Sequence, residues 1–367
     1  MKVLVAPDAA KGTATAAELA AAIAQGWRSV RPGDAVVEVP LADGGEGTAD
    51  TIAAAYPGAR WQPVDVPGPE GAPIPAGWWR LPDGTGVVDL AAACGLALYG
   101  VPDPTGASTD GLGRVLAAAC EAGAGALVLG LGGSASTDGG TGALTALGAR
   151  FLDADGHPLP PGGGALTRLA RVDLSGLRPS PAGGVSCLVD IDAPLTGPRG
   201  AAHVFGPQKG ADPATVTLLD GALARFADAT SDRGVDPDTP GAGAAGGTGY
   251  GLAACWGAAL RPGAATVAEV VGLAHHLADA GLVVTGEGRF DATSLTGKVV
   301  GYVLAARPAG LPAAIVAGQI DDAVLDGLAA VSGISLAELA GGVDAAVARP
   351  LAFAQRAGAH LAAQIDG

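Results

Sequence analysis

The stretch Lys2-Val3-Leu4-Val5-Ala6, followed by Pro7 and Asp8, decides how the chain is read. It is a short apolar run rich in Val and Leu, the pattern of a strand buried on both faces. Pro7 to Thr13 follows as a loop, and Thr15 then stands three residues before Glu18. That is capping-box spacing, and it predicts a helix running to Val30. Ala35–Val39 reads as the next strand and Pro40–Gly47 as the next loop. Near the other end the alternation returns. Leu282–Val284 reads as a strand, Thr285–Thr296 as a polar loop, Lys298–Ala306 as a helix and Ala313–Val316 as a strand. A short helix at Asp321–Leu328 and a final one at Leu351–Ile365 complete it. Alternating strands and helices imply a parallel sheet covered by helices.

Between these ends the pattern is less regular. Pro63–Asp83 is dense in Pro and Gly and reads as a crossing loop or hairpin, and Ala126–Gly130 and Val185–Asp190 read as strands. The expected fold class is therefore α/β with two α/β domains. One is a doubly wound, Rossmann-like parallel sheet built from both chain ends, residues 1–62 plus 281–367. The second α/β domain, residues 63–280, is inserted into it; two sequential domains are the alternative.

Composition excludes several classes. The 367 residues carry a formal charge of −15, so no basic stripe could follow a phosphate backbone, and an anionic membrane surface is an equally poor partner. With 49% hydrophobic and 16% charged residues the chain is not disordered. Cys94, Cys120, Cys187 and Cys255 lack zinc spacing and do not suggest a disulfide framework. The N-terminal apolar run is too short for a signal peptide, and glycines break the uncharged stretch 239–260. A soluble, cytoplasmic protein is expected, as a monomer or homodimer, with small-molecule partners and neither nucleic acid nor membrane.

Lysine usage is the sharpest clue to chemistry. There are four lysines against seventeen arginines, and Lys11, Lys209 and Lys298 each touch a glycine. A compact ammonium beside a bent backbone suits a phosphate or carboxylate ligand. Asp8 lies where a strand meets its loop, the place where open α/β sheets bind ligands. Asp43-Gly44-Gly45-Glu46-Gly47 also follows a strand, and its two carboxylates among three glycines could hold Mg²⁺ or substrate hydroxyls. The run Gly130 to Gly140 presents a Gly-rich turn after an apolar strand, a form that binds phosphates. Gly130, Gly132 and Ala135, with Asp153 downstream, equally fit a dinucleotide fingerprint, so both readings stay open from this motif. Leu188-Val189-Asp190-Ile191-Asp192 ends a strand with two carboxylates two apart, one able to take a hydroxyl proton and the other a metal. Thr285-Gly286-Glu287-Gly288-Arg289, ahead of Lys298, is a further strand-end loop with both charge signs. The five histidines show no ligand spacing.

Together these segments resemble the class I glycerate kinase family, of the glycerate 2-kinase type. The resemblance rests on Val5-Ala6-Pro7-Asp8 with Lys11-Gly12, on Ala42–Thr48, and on Gly130–Gly140. Asp190-Ile191-Asp192 with Pro194-Leu195, Gly206–Gly210, Gly243–Gly247 and Thr285–Arg289 with Asp291 continue it in chain order. The chain departs from the family at Ala9-Ala10, Thr137 and Ala193. The resemblance implies ATP-dependent phosphorylation of D-glycerate to 2-phospho-D-glycerate with Mg²⁺, in the cleft between two α/β domains. On that reading Asp190, Asp192, Lys209 and Lys11 are the expected catalytic set. Asp8, Asp43, Gly44, Gly45, Glu46 and Arg289 would bind substrate. Gly132, Gly133, Ser134, Asp138, Glu287 and Lys298 would bind ATP, and Asp192 and Glu46 would bind the metal. The alternatives are an NAD(P)-dependent oxidoreductase using the Gly130 loop, a kinase for a related small hydroxy acid, and a non-catalytic anion-binding protein.

Overall fold

Thirteen strands occur among the described residues of the computed structural model, which are 1–68 and 72–365. In chain order they are β1 (Lys2–Val5), β2 (Ala35–Glu38), β3 (Arg60–Pro67), β4 (Pro73–Arg80), β5 (Thr85–Asp89), β6 (Ala126–Gly130) and β7 (Arg150–Leu152). Then come β8 (Arg171–Asp173), β9 (Val185–Val189), β10 (Ala259–Pro262), β11 (Leu282–Phe290), β12 (Ala313–Ile320) and β13 (Val331–Ser335). The chain divides into two compact units, Met1–Asp43 with the residues from Pro262 onward, and Gly44–Arg261. The sequence reading drew its domain limits at 62/63 and 280/281. In the structure, β10 closes the second unit at its sheet edge.

In the first unit a five-stranded sheet has the order β13-β12-β11-β1-β2, and every pairing in it is parallel. Val3, Leu4 and Val5 are fully buried, as a strand covered on both faces requires. The first helix, Ala16–Val30, starts on Thr15, whose hydroxyl accepts from the Glu18 N–H while the Glu18 carboxylate accepts from the Thr15 N–H. Such a cap is worth about 1 kcal/mol. This helix turns Leu19, Ile23 and Trp27 inward and packs on the last helix, Pro350–Gln364. The approach is close because Gly26 and Gly358 face it. A Cβ on Gly26 would lie 1.8 Å from the Gln355 carbonyl oxygen, and one on Gly358 2.1 Å from that of Ile23.

Two expectations here need correction. The stretch from Thr285, read as loop, continues β11 as far as Phe290. Gly286 serves strand packing, since a Cβ on it would meet the Val316 carbonyl oxygen at 2.0 Å. β13, which the sequence reading left out, closes the sheet edge beside β12.

The second unit holds a six-stranded sheet of order β10-β9-β6-β5-β4-β3, in which β5, β6 and β9 run parallel. The Pro- and Gly-dense stretch contributes the antiparallel pair β3–β4, so its hairpin reading holds. Residues 69–71, between the two strands in sequence, lie outside the described residues. Leu112, Leu116, Leu129 and Trp78 fill one side of the core, and Phe226 stacks edge-on with Phe151 and Tyr250. Among the described residues no helix is long and apolar enough to cross a membrane.

Candidate functional site

In the first unit, β1 is the first strand of the sheet in sequence yet lies inside it. The chain goes from β1 to β2 on one side, then to β11, β12 and β13 on the other. The direction of winding therefore reverses between β1 and β11. Side by side parallel strands whose connections leave in opposite directions open a crevice at their carboxyl ends, where ligands of such sheets bind. Asp8 follows β1 there, Glu287 and Arg289 belong to the end of β11, and Gly318 and Gln319 to the end of β12. The Asp8 N–H donates to the Gly286 carbonyl at 2.8 Å and the Thr285 hydroxyl donates to that of Ala6, which ties the β1 loop to β11.

These residues border a cavity of about 370 Å³. Asp8, Lys11, Asp43, Glu287, Arg289 and Lys298 line it together, three acids and three cations. Asp8, Asp43 and Glu287 are buried, whereas Lys11 and Arg289 are exposed. Burial pushes the Asp8 carboxyl well above its ordinary range, and the charge of Asp43 pushes it further. The Ala9 N–H, 2.7 Å from Asp8 Oδ1, and Lys11 oppose that rise. Glu287 is also raised by burial, against the pull of the Ser294 hydroxyl and Lys298, and its Oε1 is buried without a hydrogen-bond partner. Lys298 caps the helix Val299–Ala306 directly after Gly297, whose φ of 73° bends the chain into it.

In the second unit, Asp89, Gly130 and Leu188 stand at one level across β5, β6 and β9. Asp89 has no counterpart among the residues singled out from sequence. Its Oδ2 accepts from the Gly47 N–H at 2.9 Å and its Oδ1 from that of Ala49 at 3.0 Å, so it pins the loop that carries Glu46. Burial, with Asp50 and Glu46 nearby, pushes its pKa up to about 7. The signal was present: Val87-Val88-Asp89 is an apolar strand ending in an acid, as in Val5-Ala6-Pro7-Asp8. Gly44 and Gly45 of this loop sit at close approaches. Gly44 has φ +98° and a Cβ on it would lie 2.8 Å from the Leu188 carbonyl oxygen; one on Gly132 would lie 2.5 Å from the Gly45 Cα.

The Gly130–Gly140 loop turns much of its hydrogen bonding into the protein. The N–H of Gly132 donates to Gly44, that of Ala135 to Cys94 and that of Gly139 to Gly246. The Ser134 hydroxyl, buried, accepts from the Ser136 N–H. Only Gly133 within the 132–134 stretch is exposed. Asp138 is fully buried and accepts from the Thr109 N–H and hydroxyl and from the N–H groups of Gly140 and Gly142. The structure thus shows Asp138 in a fold role, its carboxylate taken up by these donors. Lys209, 2% exposed, donates to the Ser136 carbonyl, and burial lowers its pKa to about 8 while Asp138 draws it back up. This ammonium is used inside the unit, where it holds the loop. The Gly243–Gly247 stretch also serves this loop, since a Cβ on Gly246 would meet the Ser136 carbonyl oxygen at 2.1 Å.

Asp190 and Asp192 follow β9, the first half-buried and the second exposed, and Glu46 is exposed. Asp153, which the dinucleotide reading placed on a ribose, accepts from the N–H groups of Asp155 and His157 in a surface turn. Among the described residues the one group of three metal-ligating side chains with donor atoms within 4.8 Å of one another is Asp153, Asp155 and His157, between β7 and β8.

Comparison with known proteins adds an independent line. Residues 3–366 match the model of the glycerate kinase family. The chain is 43% identical over 329 residues to a glycerate kinase of Bacillus subtilis, covering 87% of this chain and 85% of the relative. It is 41% identical over 334 residues to a glycerate 2-kinase of Escherichia coli K12, with coverage of 88% and 87%. A crystal structure of a proposed glycerate kinase 2 from Salmonella typhimurium LT2 superposes with a TM-score of 0.82 at 39% identity, covering 99% of this chain and 97% of that one.

Proposed function

We propose that this chain, which belongs to the glycerate kinase family and is a kinase, uses ATP to phosphorylate the 2-hydroxyl of D-glycerate, giving 2-phospho-D-glycerate and ADP. The observation that carries this reading is the set of six charged side chains around one cavity at the β1/β11 crevice. A small dihydroxy acid offers one carboxylate and two hydroxyls, and this wall offers cations for the first and buried carboxylates for the second.

Lys11 and Arg289 bind the glycerate carboxylate. Asp8 takes the proton of the reacting hydroxyl as its oxygen bonds to the γ-phosphorus; the bond to the β,γ-bridging oxygen breaks and its electron pair leaves with ADP. A general base works best with a pKa near the working pH, and burial with Asp43 alongside moves Asp8 that way. This gives the proton-accepting role to Asp8 rather than to Asp190 or Asp192. Phosphoryl transfer otherwise needs positioning and charge neutralisation. With a formal charge of −15, the protein repels anions at long range, so the exposed Lys11 and Arg289 matter most at this wall.

Mg²⁺ usually takes one or two protein carboxylates and leaves the remaining positions to phosphates and water. Glu46 and Asp192, exposed single carboxylates, fit that donor set and are the groups we propose for it. When bound, the ion would supply positive charge for phosphoryl transfer. The chain is proposed to act in the cytoplasm.

A coupled ADP-release assay over D-glycerate, tartronate and erythronate, with NMR of the product, tests the reading. Release that depends on D-glycerate and a product phosphorylated at C2 are expected. NADH binding with no acceptor-dependent ADP release would overturn it in favour of the oxidoreductase alternative.

A further inference from the structure

One wall of the first unit's cavity is left unused by a charged three-carbon acid. Beside its charged residues and Gln319, the lining includes Leu336, Val343, Ala346, Val347 and Pro350. Leu336 and Ala346 are buried beneath it, while Val343 and Val347 are 44% and 53% exposed. These two valines are four residues apart on the helix Val343–Ala348, hence on one face. Exposed apolar side chains that gather at the lip of a cavity mark a ligand's apolar part rather than scattered surface. The cavity's size agrees: about 370 Å³ lies within the roughly 300–1,000 Å³ that takes a drug-sized ligand, far beyond the needs of glycerate.

Of the two reactants only ATP carries a flat apolar surface, its purine ring. We propose that Val343, Val347, Ala346 and Leu336 seat the adenine ring of ATP, with Glu287 turned to the ribose hydroxyls and Lys298 to the phosphates. Two further observations favour the nucleotide as occupant. Glu287 lines the same cavity and its buried Oε1 lacks a hydrogen-bond partner, so its carboxylate has acceptor capacity that a ribose hydroxyl can use. Lys298 stands at the start of the helix Val299–Ala306, where an ammonium joins main-chain N–H groups in binding phosphate. The assignment moves the base away from the Gly130–Gly140 loop, and it rests on reading this cavity as the reacting site.

The test is the double variant Val343→Asn with Val347→Asn, which replaces exposed side chains by neutral polar ones of similar size. Binding of a fluorescent ADP analogue and of inorganic tripolyphosphate is measured directly, beside the KM values for ATP and D-glycerate. The expected result is an ADP affinity and an ATP KM both weakened about tenfold, with tripolyphosphate binding and the D-glycerate KM unchanged. Val347→Leu should keep the ADP affinity. Unchanged ADP binding, or a rise confined to the D-glycerate KM, would overturn the proposal. The binding arms report on the base seat even if turnover of D-glycerate were absent, so the two readings fail separately.

Discussion

Replacing Asp8 by asparagine is expected to lower kcat for D-glycerate phosphorylation by roughly 10²–10⁴-fold, the range contributed by a positioned general base. The amide keeps the shape and the acceptor toward the Ala9 N–H, so the fold should be retained. The pH profile separates catalysis from structure. Burial and Asp43 raise the proton affinity of Asp8, so its carboxylate form, the one able to accept a proton, is lost as the pH falls through that raised value. Wild-type kcat/KM should therefore decline on the acid side at a pH well above the ordinary range of aspartate, and the variant should lack that limb. A variant with wild-type turnover and an unchanged acid limb would remove Asp8 from the chemistry.

The second large effect is on stability. Asp138→Ala is expected to cost the second unit roughly 3–5 kcal/mol, the penalty for breaking a buried charge arrangement from one side. Four donors from Thr109, Gly140 and Gly142 lose their acceptor at a fully buried position. Lys209, equally buried, loses the charge that favours its ammonium. Urea unfolding followed through the tryptophans reads the loss as a lower midpoint. A midpoint within error of wild type would mean that Asp138 is not the structural centre of its loop.

The N-terminal half of the first unit is legible because two independent signals agree there: a short apolar run, and Thr15 at capping distance from Glu18. β11 is only half legible, for Gly286 and Gly288 carry the turn signature while the first of them serves close packing against β12. β13, Val-Ser-Gly-Ile-Ser, alternates polar and apolar residues too weakly to stand out as an edge strand beside β12.

At the site, Asp8, Lys11, Glu287 and Lys298 are legible because charge at a strand end or helix start is costly without a use. Lys209 and Asp138 carry the same local signature, yet each is consumed by partners far away in the chain, Ser136 for the first and Thr109 for both the N–H and hydroxyl bonds of the second. Local sequence cannot distinguish an ion held for a ligand from one held for the fold. The apolar wall is illegible for a related reason. Val343 and Val347 meet Asp8 and Lys11 at one cavity across more than 300 residues of chain, and nothing in their own neighbourhood announces it.

The proposed mechanism requires that the β1/β11 crevice receive the acceptor acid. Isothermal titration of D-glycerate into the wild-type protein and into Lys11→Met measures this without turnover. Loss of one charge-assisted contact to the carboxylate should weaken the dissociation constant at least about tenfold, with the ADP affinity kept. Equal D-glycerate affinity in the two proteins would contradict the account, because the acid would then be bound somewhere else.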